Sequence, residues 1–230
     1  MFTEEKLQQR RALLKASQDE KFPYIVDLCG MSLEVDCGVF SPKWFQSSRL
    51  FCEMLPSVSG LRVLDMGCGC GVIAIYSALD GATVADGVDI MMEAVENTRR
   101  NAELLGVSDI VHCWQSDLFS EVPCQNQYDL IFWNPPWLYV NENYQFGSQL
   151  EMTLFDPGYK KIDRFLSDAI SRLSHKGRIL LGFADFGEIE KLSRLAFSYS
   201  YSMKKLAQRT GKAPEFYQYM LYEFRPEKQV

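Results

Sequence analysis

Between residues 61 and 133 the chain alternates short apolar runs with amphipathic stretches, and a glycine series stands directly behind the first run. That order restricts the fold more than any other feature. Residues 61–66 read as a strand that passes through V-L-D-M-G-C-G-C-G into a helix over 71–80. A strand over 83–88 precedes a helix over 91–105, closed by Gly106, and a third strand follows over 110–115. The fourth, over 128–133, is almost continuously apolar. Such a run suits a strand buried on both faces, as in a parallel sheet covered by helices. A helix over 160–174, a strand over 178–184 and a helix over 187–197 continue the alternation. Residues 200–208 and 215–224 are rich in Tyr and Phe and joined by a turn containing Gly211 and Pro214, which predicts an antiparallel hairpin. Five β/α steps closed by a hairpin make a doubly wound α/β sheet with a reversed strand near one edge.

The flanking segments are less regular. Residues 3–20 favour helix by propensity but lack a clean apolar stripe; 35–40 read as a short strand, and 44–55 as a helix ending before Pro56. The expected organisation is a helical extension over 1–34 and one α/β domain over 35–230. The stretch 134–159 is long and irregular, directly after the fourth strand. Loops of that length in a compact domain are usually functional.

Composition narrows the chemistry. No window approaches 18 uninterrupted apolar residues, and residues 1–20 are charged without an apolar leader, so a cytoplasmic protein is expected, with no membrane partner. The net charge of −6 argues against a long phosphate footprint. The basic groups Arg10, Arg11, Lys15 and Lys204, Lys205, Arg209, Lys212 are the candidates for a local phosphate-binding patch, with solvated faces as the preferred reading. Seven scattered cysteines without a C-x-x-C, and only His112 and His175, predict reduced thiols, no metal site and no histidine-activated nucleophile.

Ligand-bearing chemistry gathers at the strand ends. Asp65, Gly67, Gly69 and Gly71 stand where the first strand turns into its helix, and glycine there lets a ligand approach the backbone. The spacing is G-x-G-x-G rather than the dinucleotide G-x-G-x-x-G. Asp89 closes the second strand, where a carboxylate can accept from the two hydroxyls of a ribose. Asp117 falls where an adenine amino group would arrive; the alternative is a solvated or helix-capping aspartate. The fourth strand ends I-F-W-N-P-P-W. Asn134 offers an amide oxygen, the tandem prolines remove two N–H donors, and Trp137 offers an apolar ring, a set suited to a planar group bearing –NH₂.

On these motifs the chain resembles the class I S-adenosylmethionine-dependent methyltransferases, in the branch with N/D-P-P-Y/F/W. The resemblance covers roughly residues 35–224. It implies a Rossmann-like, seven-stranded sheet, with S-adenosyl-L-methionine as cofactor. Asp65, Gly67, Gly69 and Gly71 would frame the methionine part, Asp89 the ribose and Asp117 the adenine. Asn134 and the Pro135 carbonyl would hold the target –NH₂, with Trp137 stacked on its plane. The segment C-G-V-F-S-P (37–42) resembles the loop that enters the cofactor site in this branch. V-F-S-P, followed by Ser47, Ser48 and Arg49, is closer to small-subunit rRNA guanine methyltransferases than to the glutamine enzymes. F-D-P-G-Y (155–159) is loosely similar to a segment of the glutamine group. The expected acceptor is an exocyclic base nitrogen in RNA, ahead of a protein glutamine or a small metabolite. A catalytically silent, cofactor-binding partner subunit is the alternative outside enzymes, and the intact N-P-P-W speaks against it.

Overall fold

The computed structural model describes residues 4–213 and 216–227. In chain order the elements are α1 (Glu4–Ala16), β1 (Tyr24–Leu28), β2 (Met31–Val35), α2 (Ser47–Met54), β3 (Arg62–Met66), α3 (Val72–Leu79), β4 (Val84–Asp89) and α4 (Met92–Leu104). Then come β5 (Cys113–Gln115), β6 (Tyr128–Trp133), β7 (Leu138–Val140), β8 (Phe155–Pro157), α5 (Lys160–Ala169), β9 (Leu173–Ala184), α6 (Ile189–Ser198), β10 (Tyr201–Thr210) and β11 (Gln218–Pro226).

The main sheet has the expected seven strands, in the order β10-β11-β9-β6-β3-β4-β5. From β9 to β5 all neighbours run parallel, and β11 enters antiparallel between β9 and β10. Consecutive residues Leu130, Ile131 and Phe132 are all buried, as are Val63 and Leu64. Helices therefore cover both faces of these strands, and no alternation of apolar and polar residues is needed. The chain runs outward from β3 through β4 to β5, then returns to the other side of β3 as β6. That reversal opens a crevice at the carboxyl ends of β3 and β6, where ligands bind in open α/β sheets.

Several boundaries differ from the sequence reading. The strand expected over 35–40 does not form beyond Val35, where β2 ends, and the segment ahead of residue 35 is not wholly helical but carries the β1/β2 hairpin. Its turn uses Cys29 and Gly30, both at positive φ, without the usual Asn or Asp signal. The strand expected over 110–115 is shorter, and the helix expected over 160–174 stops at Ala169, because residues 173–177 already belong to β9. Gly177 permits that early start: a Cβ there would stand 2.6 Å from the Tyr128 carbonyl oxygen. The irregular stretch 134–159 contains the parallel pair β7/β8, with a 3₁₀ turn at Gln149–Thr153 between the strands. Pro214 of the expected hairpin turn and residue 215 of its second strand lie outside the described residues.

The small hairpin is hooked to the main domain by buried amides. Asn101 on α4 accepts from Glu34 N at 2.9 Å and donates to Glu34 O at 2.8 Å and Cys70 O at 2.9 Å. One side chain thus satisfies β2 and the glycine loop together. Asn101→Ala would strand these buried groups, each at a cost of about 1–3 kcal/mol. Its thermal unfolding midpoint should fall by several degrees, at about 2–4 °C per kcal/mol for a chain of this size.

Candidate active site

A cleft of about 1210 Å³, counting its open mouth, lies over the crevice. Asp65, Gly67, Gly69, Asp89, Asp117, Asn134, Pro135 and Trp137 all line it, so the fold brings together all but one of the expected site residues. Gly71 is the exception. Its φ is +92°, and a Cβ there would meet Ile75 Cδ1 at 2.8 Å and Thr98 Cγ2 at 3.0 Å. Gly71 therefore lets α3 pack against α4 behind the wall, instead of framing a ligand.

The glycine loop is held from below. Asp65, only 2% exposed, accepts from Ala74 N in the first turn of α3 at 3.1 Å. Burial pushes its carboxyl up to about 8, opposed by that N–H and reinforced by the charge of Asp89. Gly67 N and Cys68 N donate to Val88 O at 2.7 and 2.9 Å. Gly69, at φ +57°, has open space where a Cβ would sit, which keeps the floor of the cleft clear. Asp89 accepts from Gly69 N at 3.1 Å and Met91 N at 3.0 Å, and burial raises its pKa despite those donors. Asp117 is exposed at the rim and ion-paired with Arg164, so its carboxylate is not aimed freely into the cleft.

At the end of β6 the motif closes on itself. Trp137 Nε1 donates to Asn134 Oδ1 at 2.8 Å, and Asn134 Nδ2 donates to Ser47 Oγ at 3.3 Å. The amide is thereby oriented with one oxygen lone pair still available. The Trp137 carbonyl accepts from Tyr159 Oη at 2.7 Å, and that oxygen accepts from Glu188 N at 2.9 Å. F-D-P-G-Y is thus a brace for the motif. Trp137 itself is only 8% exposed, with Phe51 and Tyr219 edge-on to its ring. The broad stacking face expected at Trp137 is thus largely enclosed by other rings, and its indole N–H orients Asn134.

The sequence reading missed Lys161 and the wall formed by Met152, Thr153 and Leu154. Burial lowers the pKa of Lys161, against the pull of Asp156, Asp117 and Asp89. No local motif marks it; it reaches the cleft because Asp156 caps the start of α5, accepting from Lys161 N and Ile162 N. Phe40, from C-G-V-F-S-P, also lines the cleft and is stacked on Phe45 with centroids 4.6 Å apart.

The ionisable lining is Asp65, Asp89 and Asp117 against Lys161, and a cationic sulfonium would favour the ionised form of these acids. The clear floor at Gly69 and the carboxylate closing β4 fit a nucleoside bearing an amino-acid tail. Among the described residues no cluster of His, Cys, Asp or Glu is placed to hold a metal ion, and all seven cysteines are free. No described helix is long and apolar enough to cross a membrane.

The raised pKa of Asp65 has a measurable consequence. An unfolded aspartate titrates near 3.9, so the folded chain keeps a proton that the unfolded chain releases as pH rises from about 4 to about 8. Stability is therefore lost across that window. Asp65→Asn keeps an acceptor for Ala74 N without the charge. Thermal midpoints of the two ligand-free proteins should converge below pH 4 and separate in favour of Asn by pH 8.5, with pH differences scaled to the value of about 8.

Known proteins place the fold and cleft in a family. Residues 30–208 match the methyltransferase small domain. A Methanocaldococcus jannaschii protein named as a protein N5-glutamine methyltransferase is 32% identical over 175 residues, covering 74% of this chain and 85% of the relative. The ribosomal RNA small subunit methyltransferase C of Chromohalobacter salexigens is 34% identical over 160 residues, 67% of this chain but 42% of that one. The chain thus spans less than half of the second relative. Among solved structures, the T. thermophilus 16S rRNA N2 methyltransferase in complex with AdoMet and guanosine superposes with a TM-score of 0.63. It is 23% identical, over 89% of this chain and 50% of that one. The chain belongs to the methyltransferase small domain family and is a methyltransferase.

Proposed function

We propose that the chain methylates the nitrogen of a planar amino group, an exocyclic base nitrogen in RNA. The observation that carries this reading is the orientation of Asn134, whose oxygen is turned by Trp137 Nε1 at the open end of β6, beside the glycine loop. When bound, S-adenosylmethionine supplies a methyl group already activated by its sulfonium. Asp89 would accept from its ribose hydroxyls, and Asp65 and the loop at Gly67 and Gly69 would border its methionine end. Asp117 would serve the adenine edge only by reorganising its pair with Arg164.

The difficulty lies in the acceptor, whose nitrogen lone pair is delocalised into the ring. Asn134 Oδ1 and the Pro135 carbonyl would accept the two amine hydrogens, favour a pyramidal nitrogen and stabilise the positive charge that develops on it. Both acceptors are preorganised: Trp137 and Ser47 hold the amide, and the prolines stiffen the backbone. With Trp137 mostly buried, Phe40 is the ring placed to meet a planar base, supported from behind by Phe45. A protein glutamine is the second reading, favoured by the relative of nearly equal length that carries that name.

Asp89→Ala should weaken cofactor binding by roughly 1.5–3 kcal/mol, the range for hydrogen bonds to a charged group, as read by calorimetry. Asn134→Ala should leave that affinity within a few-fold and lower kcat by about a hundredfold. Loss of cofactor binding with kcat retained would reverse the roles. Labelled methyl from S-adenosylmethionine, followed into RNA and protein fractions, decides the acceptor. Incorporation into RNA is expected, and incorporation into a protein glutamine alone would replace the RNA reading.

A further inference from the structure

The β10/β11 hairpin carries charge that the cleft does not use. Residues 199–213 contain Lys204, Lys205, Arg209 and Lys212 and no acid, in a chain whose net charge is −6. All four cations are exposed. Among the described residues none of them forms an ion pair; Glu223, opposite Lys204 in the ladder, is already held by Arg178 and Arg225. β10 is the edge of the sheet; Lys204 and Arg209, opposite Glu223 and Tyr219, share one face about 16 Å apart at a strand rise of about 3.3 Å per residue, Lys205 stands on the other face, and Lys212 follows beyond the strand's end at Thr210. That length passes about two or three consecutive phosphates.

The strip also leads to the methylation site. The Gln46 side chain donates to Lys212 O at 2.9 Å and accepts from Lys212 N at 2.7 Å. Gln46 immediately precedes Ser47, whose hydroxyl takes the bond from Asn134. A second path is aromatic: Trp137 meets Phe186 at 5.3 Å between centroids, and Phe186 meets Tyr217 at 4.2 Å. Phe216, next to Tyr217, is 68% exposed. Cations tracking a backbone beside aromatic rings are the recurring means of binding single-stranded nucleic acid.

From this we infer that the β10/β11 hairpin is an RNA-docking surface, which seats the strand flanking the target base along Lys204, Arg209 and Lys212, with Lys205 adding charge from the other side of the edge strand. The inference rests on the RNA reading above and names the surface that reading requires. Charged side chains also protect edge strands from pairing with other chains, and the test separates that role from docking.

Binding of a fluorescent single-stranded RNA 20-mer is measured by anisotropy between 50 and 200 mM NaCl. The quadruple variant Lys204→Gln, Lys205→Gln, Arg209→Gln, Lys212→Gln should bind more weakly, and the slope of log affinity against log salt should shrink by about 2–3, at about 0.7 per phosphate contact. A charge-retaining variant, with Arg at 204, 205 and 212 and Lys at 209, should keep the wild-type slope. Calorimetric affinity for S-adenosylmethionine should be unchanged in both, which confirms that each is folded. Failure of the wild-type protein to bind the RNA, or an unchanged slope in the Gln variant, overturns the inference. The methyl-transfer assay reports separately on the acceptor. Label in RNA with an unchanged slope rejects the hairpin alone, whereas label in glutamine with a reduced slope rejects the RNA acceptor and keeps the hairpin as an RNA-binding surface.

Discussion

Parallel pairing of β3 with β6 is the constraint on which the site depends. In the ladder Met66 stands opposite Trp133, so the glycine loop and N-P-P-W leave the sheet side by side. Neither segment makes a site alone. The first is a floor open to a ligand; the second is a pair of acceptors at one end of that floor. Only the reversal of strand order between β5 and β6 sets the two around one crevice.

The supports of the site are made mostly of buried polar groups hydrogen-bonded to neighbouring elements. Asp65 ties the floor to the first turn of α3, Asn101 ties it to α4 and β2, and Tyr159 ties the Trp137 carbonyl to the start of α6. Such groups are costly to leave unpaired inside a protein, so each restricts its neighbours to one geometry. Glycine loop and N-P-P-W segment are thereby tied to the elements behind them, the kind of support that electrostatic preorganisation requires. The acids of the cleft repel one another and resist ionisation when buried. A cationic ligand would relieve both effects.

The sheet was legible because its central strands are apolar without interruption and its helices are bounded by glycine and proline. Elements whose stability comes from distant partners were not. β1 and β2 rest on Asn97 and Asn101 of α4, and no residue near the hairpin announces that dependence. β7 and β8 pair with each other across a loop, so their order appears only once that loop is closed. The helix reading over 160–174 overran because apolar spacing in residues 170–174 serves a 3₁₀ turn and the start of β9 equally well.

By itself the sequence determined the doubly wound sheet, the glycine turn, the carboxylate at the end of β4 and the N-P-P-W segment after β6. Each depends on residue types at fixed spacing along one short segment, and local chemistry suffices to read it. Tertiary structure alone decided which way those groups face. It turned Trp137 from a stacking platform into a donor that orients Asn134, moved Gly71 from the ligand to a helix contact, and committed Asp117 to Arg164. It also brought Lys161 into the cleft and hung the cationic hairpin beside Ser47 through Gln46. Spacing along a chain gives the position of a side chain on its own element. Its direction and its partners depend on what the rest of the chain packs against it.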